Sequence, residues 1–229
     1  MTHGTKSTNT RQRLLHSAAQ LFLQKGYHNS TLRDIASQVD VTTGSIFAFF
    51  EDKEALLRCL VANVFDTQFH LAEKLIPKGE DPISVYAVET ALQFHIVEQS
   101  ENLRDLYVTA YSLPTTAEAI YQSMAAKLYK TFGPLLPDCM PKDFYELEIA
   151  TGSIMRGFMA RPCDLYFTID QKITRFLRLT LSIYNVPAAR QEELLKYTLS
   201  LPLGDTAARL IEDIVRRASE GKLYDPTAE

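Results

Sequence analysis

Thr42, Thr43, Gly44 and Ser45 follow one another at the start of a short segment whose inward apolar positions are Ile46 and Phe50. The hydroxyls can donate to a phosphate or a base edge, and Gly44 lets the backbone come close. Arg33, on the segment before, can reach a guanine or a phosphate.

Short helices must position these groups. Leu32, Ile35, Ala36 and Val39 fall at i, i+3, i+4 and i+7, one apolar helical face. Ser30 or Thr31 can cap that helix, because a hydroxyl accepts from the orphan N–H groups of the first turn. Asp40 occupies the break, where a short polar side chain tolerates a left-handed backbone. Val41 packs back, and a second helix opens at about residues 42–49. Helices this short need flanking helices for a core. One is predicted over 10–25, with Leu14, Ala18, Leu21 and Phe22 on one face, Lys25-Gly26 as its stop and Tyr27 tucked under the next helix. The other starts at Lys53, turns Leu57, Leu60, Val61 and Val64 inward, and runs to about residue 76, where Pro77, Gly79 and Pro82 end it. The pattern is a helix-turn-helix whose second helix does the reading.

The stretch LRDIASQVDVTTGSIFAFFEDKEALL resembles the DNA-binding segment of the TetR/AcrR family of repressors, and RLLHSAAQLFLQKGYHNST before it extends the resemblance to about residues 10–60. The rest of the chain is compatible with the family in length and helical pattern. The resemblance implies an all-α fold: an N-terminal three-helix helix-turn-helix domain (10–52), a linking helix (53–76), and a C-terminal helical ligand-binding and dimerisation domain (77–221). A disordered lead (1–9) and a tail (222–229) would flank them. It also implies DNA contacts at Thr31, Arg33, Thr42, Thr43, Gly44, Ser45, Phe47, Ala48 and Lys53, the last on a phosphate. Phe47 and Phe49 stand where the family usually has Tyr and His or Tyr, so two polar ends are missing. Phe47 keeps a ring for a thymine methyl, and Ala48 is smaller than usual. Asp40 replaces a usual glycine at a small backbone cost. Fewer phosphate contacts, and so a shallow salt dependence of DNA binding, are predicted.

The chain has 229 residues, is 46% hydrophobic and 23% charged, and carries a net charge of −4, so bulk electrostatics do not make it a nucleic-acid binder. The distribution differs from the total. Residues 1–60 hold Lys6, Arg11, Arg13, Lys25, Arg33, Lys53 and Arg58 against Asp34, Asp40, Glu51, Asp52 and Glu54, a mildly basic head on an acidic body. Cys59, Cys139 and Cys163 have no metal-ligand or disulfide spacing, so reduced thiols in a cytoplasmic protein are predicted, with no metal and no cofactor. MTHGTKSTNT lacks the apolar core of a secretory signal, and no run is long enough to span a membrane. No GxSxG, phosphate loop, HExxH or Cys–His pairing argues for an enzyme. A helical adaptor acting through protein contacts is the alternative, and the missing polar ends at Phe47 and Phe49 are its best argument.

From residue 82 the pattern is helical throughout, with helices at about 82–100, 101–113, 115–132, 143–160, 164–185, 188–200 and 203–220, the last stopped by Gly221. Aromatic and methionine side chains suit a pocket for a flat or apolar small molecule. The candidates are Phe94, Tyr107, Tyr111, Met124, Met155, Arg156, Phe158 and Met159, and Arg156 could anchor an acidic ligand or pair with Glu146 or Glu148. His95 reads as a core or surface histidine. Gly152 and Gly157 inside one helix cost ~1 kcal/mol each relative to alanine, so either a neighbouring helix packs closely or a ligand needs the space. Two stripes, Ile173, Phe176, Leu177, Thr180 and Leu181, and Ala207, Leu210, Ile211, Ile214 and Val215, suggest a homodimer through the 164–185 and 204–220 helices. The resemblance implies a closing four-helix bundle. A two-fold dimer would read a pseudo-palindromic double-stranded DNA operator, with half-sites about 34 Å or a multiple apart.

Overall fold

The structure, a computed structural model, describes residues 3–77, 79 and 81–220, with side chains from Thr10 onward. The proposed tail and the Gly221 stop lie outside the described residues. Helix α1 (His3–Lys25) begins earlier than the sequence pattern suggests, so the lead is helical from His3 on. Once a helix is nucleated, each added residue gains one hydrogen bond, and no proline interrupts this segment. Gly26, at φ +81°, ends it and donates to the carbonyl of Phe22.

Helix α2 (Leu32–Val39) starts at Thr31, whose hydroxyl accepts from the Asp34 amide while the Asp34 carboxylate accepts from the Thr31 amide. Asp40 takes the left-handed conformation at φ 57°, as its short polar side chain permits. Helix α3 (Thr43–Ile46) is shorter than the segment 42–49, because the amides of Phe49 and Phe50 both donate to the Ile46 carbonyl and close it early. Asp52 caps α4 (Lys53–Leu75). Phe22, Ile35, Ile46, Leu56 and Leu57 are fully buried and form the shared core of these helices.

The body consists of α5 (Pro82–Val97), α6 (Glu101–Ala110), α7 (Pro114–Phe132), a 3-10 turn at Gly133–Leu135, α8 (Pro141–Ala160), α9 (Ile169–Ile183), α10 (Ala188–Ser200) and α11 (Leu203–Ser219). Helix α5 is the axis: it is buried on almost every side and packs against α4, α9, α10 and α11. Helices α7 and α8 lie along each other.

Two sequence expectations change here. Residues 164–168 are not helical. Asp164 accepts from the amides of Tyr166 and Phe167, and Thr168 with Gln171 forms a capping box that starts α9 only at Ile169. The first apolar stripe is not free for a partner chain: Ile173, Phe176, Leu177, Thr180 and Leu181 are buried within the chain. Of the second, Ala207 and Leu210 are buried where α11 packs on α5 and α1, while Ile211 and Ile214 stay half-exposed and Val215 is exposed. Helices of strong amphipathic pattern are claimed first by the intrachain core.

Candidate nucleic-acid interface and ligand site

Thr42 caps α3: its hydroxyl accepts from the Ser45 amide at 3.2 Å and lies 2.8 Å from the Ser45 hydroxyl. That bond holds the helix start in shape while Thr42, Gly44, Phe47 and Ala48 remain exposed and Thr43 and Ser45 half-exposed. A Cβ built on Gly44 would meet only the Thr42 hydroxyl oxygen, at 3.7 Å, an ordinary contact. The fold itself therefore does not require glycine there. Phe47 is 57% exposed, a large ring with no interior packing to account for it, whereas Phe50 is buried and Phe49 half-buried. Thr31 and Arg33 are exposed on the adjacent helix. The interior side of the same unit is tied by polar bonds to backbone: Arg13 donates to the Val39 carbonyl at 2.7 Å and Ser17 to the Ile35 carbonyl at 3.2 Å.

Lys53, for which the resemblance implies a phosphate contact, is also engaged within the chain. Its ammonium donates to the carbonyls of Tyr27 at 2.8 Å and Ser30 at 2.9 Å and sits 4.1 Å from the centre of the Tyr27 ring. Burial lowers its pKa. The α1–α2 turn leaves two carbonyls without helical partners, and this half-buried lysine is the donor within reach; here it is a clamp between α4 and that turn.

Two joints connect head and body. Asn102 of α6 donates to the carbonyls of Leu23 and Gln24, both at 3.0 Å, finishing the end of α1. Glu54 of α4 accepts from the Thr116 amide at 2.8 Å and hydroxyl at 3.0 Å, capping the start of α7.

The candidate ligand residues do not form one pocket. Phe94 belongs to a nest with Phe158 and Phe176, while Tyr107 and Tyr111 each lie 6.3 Å from Phe65. Met124 lines a cleft of about 390 Å³ between α4, α5 and α7. Met155 and Met159 are buried. Arg156 is exposed on the outside of α8, because helical period places it with Ile149, Ser153, Gly157 and Ala160 and opposite Met155 and Met159. It cannot anchor a ligand in the core. The glycines divide likewise: a Cβ on Gly152 would meet Tyr121 at 2.9 Å, whereas one on Gly157 would meet nothing within 4 Å.

Sequence reasoning missed the buried acids. Glu89 and Glu148 are almost wholly enclosed, and burial raises their pKa values to about 7 and about 8; hydrogen bonds from Gln93 and Thr151 pull the other way. The available signal was Glu89 and Gln93 at i and i+4 within the otherwise apolar VYAVETALQFHIV. His95 is half-buried with a pKa lowered by burial, and no group of three or more metal-ligating side chains exists among the described residues. No helix among the described residues is long and apolar enough to cross a membrane.

Comparison with known proteins places this architecture. Residues 14–60 match the family model described as bacterial regulatory proteins, tetR family. The chain is 26% identical over 105 residues to the uncharacterized HTH-type transcriptional regulator YuxN of Bacillus subtilis, covering 46% of this chain and 36% of that one. It is 28% identical over 104 residues to the biofilm operon icaADBC negative transcriptional regulator IcaR of Staphylococcus epidermidis, covering 45% and 55%. The chain thus spans about a third to a half of the length of these relatives. The crystal structure of RolR with resorcinol superposes with a TM-score of 0.66 at 18% identity, covering 84% of this chain and 96% of that one, a likeness of fold.

Proposed function

We propose that this chain, which belongs to the TetR family of bacterial regulatory proteins through its residues 14–60, is a ligand-responsive DNA-binding transcriptional repressor acting as a homodimer. The observation that carries the reading is the exposed start of α3. Gly44 there meets no neighbour that would forbid a side chain, and an unpacked Phe47 stands beside it. Arg33, Thr42, Thr43 and Ser45 would contact phosphates and base edges, with Phe47 against a thymine methyl. A small molecule bound in the body would shift α6 and α7, whose starts are joined to the head through Asn102 and Glu54. Operator affinity would then fall by the ligand's differential binding to the two states.

Dimerisation is assigned to the outer faces of α8 and α9. Ile149, Ser153, Gly157 and Ala160 form one exposed stripe, and Arg175, Leu179 and Ser182 another beside it. Small residues let a partner helix approach closely, and the open space over Gly157 fits that role. Leu179→Glu should convert the dimer to a monomer by light scattering.

Gel shift with the DNA upstream of the gene tests the whole reading. Retarded DNA that is lost in Arg33→Ala supports it, and no retardation at low salt sinks it. The adaptor reading is favoured by one observation, the engagement of Lys53 with backbone carbonyls. It predicts no retardation with any fragment.

A further inference from the structure

At the centre of the body, polar groups converge from α4, α5, α6 and α8 on a site enclosed by aromatic rings. Gln68 donates to the Tyr107 hydroxyl, and its own carbonyl oxygen has no partner. Gln93 donates to Glu89 at 2.5 Å, and its carbonyl oxygen likewise has none. Thr151 donates to Glu148 at 2.9 Å and meets the Tyr184 hydroxyl at 3.0 Å. The Glu148 carboxylate and the Tyr111 ring both border Gly152, within 3.4 Å of where its Cβ would stand. The charges of Glu89 and Glu148 are felt by Tyr111, and that of Glu89 by Glu148.

Among the described residues no base is hydrogen-bonded to this cluster. Lys172 is buried but pairs with Glu98 at the far end of α5, and the half-buried Lys127, 3.0 Å from Asp66, reaches Glu89 only through its charge, which lowers the Glu89 pKa. Two buried carboxyls without a cation, and two amide oxygens without a donor, leave only acceptor capacity unfilled. Burying such groups costs free energy that an interior partner normally offsets. Flat π faces around them (Phe65, Tyr86, Tyr107 and Tyr111) favour a cation further. A cleft of about 390 Å³ opens beside the cluster, its wall including Tyr86, Met124 and Lys127. Glu89 lies one helical turn beyond Tyr86 on α5.

We propose that this cluster is the effector site and that it takes a flat organic cation bearing N–H donors, held by Glu89, Glu148 and the free carbonyls of Gln68 and Gln93. The inference rests on the ligand-responsive reading and names the chemical class that reading leaves open. Once inside, the cation lets both carboxyls ionise, and its N–H groups satisfy the two amide oxygens. Neither a neutral amide nor a carboxylate of the same shape supplies both charge and donors.

The test compares benzamidine with its near-isosteres benzamide and benzoate by titration calorimetry on the full chain. Benzamidine should bind at least tenfold more tightly than benzamide, and benzoate should not bind. The double variant Glu89→Gln, Glu148→Gln, which removes charge with little change of shape, should lose that preference while keeping its circular dichroism and a cooperative melting transition. Equal binding of benzamide or benzoate overturns the proposal, as does no binding of benzamidine or a preference that survives in the double variant. Gel shift of the same preparation without any probe reports separately on DNA binding, so failure of the ligand class is distinguishable from failure of the regulator reading.

Discussion

Head and body bury polar groups in opposite ways. In the head, Arg13, Ser30 and Lys53 each donate to a backbone carbonyl at a helix end or turn, and Ser17 to the Ile35 carbonyl within α2. In the body, α5 carries Glu89 and Gln93 into an apolar interior, and the side-chain atoms found buried without a partner, those of Gln68, Gln93, Arg104 and Thr198, all lie beyond the three-helix unit. A unit that satisfies its interior is stiff and can hold a recognition surface in register. A unit with unfilled acceptors is stabilised by whatever supplies the missing donor, which is the condition for a sensor.

The body also contains its own control. Glu98 is paired: it accepts from Lys172 at 2.6 Å, from Arg104 at 3.0 Å and from the Cys163 amide at 3.2 Å. Burial raises its pKa, but these bonds and charges outweigh that and hold it below the usual range. Glu98→Gln leaves the fully buried Lys172 ammonium without its counter-ion and should cost roughly 3–5 kcal/mol near neutral pH, read by urea unfolding. Because the folded-state pKa is depressed, the wild-type pair stabilises above the ordinary glutamate pKa and is lost as pH falls through the lower folded value. The cost of the variant should therefore shrink in acid.

The unpaired acids should respond with the opposite sign. Their folded-state pKa values of about 7 and about 8 lie above the ordinary one. Between an unfolded pKa near 4.5 and those values the folded state binds more protons, so stability is highest in acid and falls as pH rises. Glu89→Gln with Glu148→Gln should therefore be more stable than wild type at pH 8, by up to a few kcal/mol on the order of 1.4 kcal/mol per pKa unit, with the gain fading towards pH 4.5. A loss of stability at pH 8 that shrinks in acid would show that the two sites are paired after all, and the contrast with Glu98 would disappear.

Glycine substitutions sharpen the same comparison. Gly44→Glu puts a like charge where phosphates are expected and should weaken operator binding by at least about a hundredfold, with little change in melting temperature. Gly152→Val drives methyl groups into Tyr121 and should cost about 1–3 kcal/mol of stability, with its effect on DNA binding following from that loss. If the two outcomes were exchanged, recognition and packing would be assigned to the wrong glycines. The smallest expected effect is Thr31→Ala, which removes the α2 cap at about 1 kcal/mol and should be measurable by chemical unfolding.

The head was legible because its determinants are local. Apolar spacing, the Thr31–Asp34 box, Asp40 in the turn and Gly26 at the stop each act within one or two helical turns. The clamp made by Lys53 was not legible for the complementary reason: its partners, Tyr27 and Ser30, are brought to it by the meeting of α4 with the α1–α2 turn. The α9 stripe failed similarly, since amphipathicity marks a face for burial without saying whose surface covers it.

By itself, then, the sequence determined an all-helical chain, the helix-turn-helix and the exposed Thr42–Ser45 start of α3, all consequences of short-range periodicity and capping. Only the tertiary structure decided that Arg156 faces outward, that α9 spends its apolar stripe internally, and that Glu89, Gln93, Gln68 and Glu148 are all buried in the body. Those outcomes depend on which helices pack side by side, and pairwise packing between distant segments leaves no periodic trace in either of them.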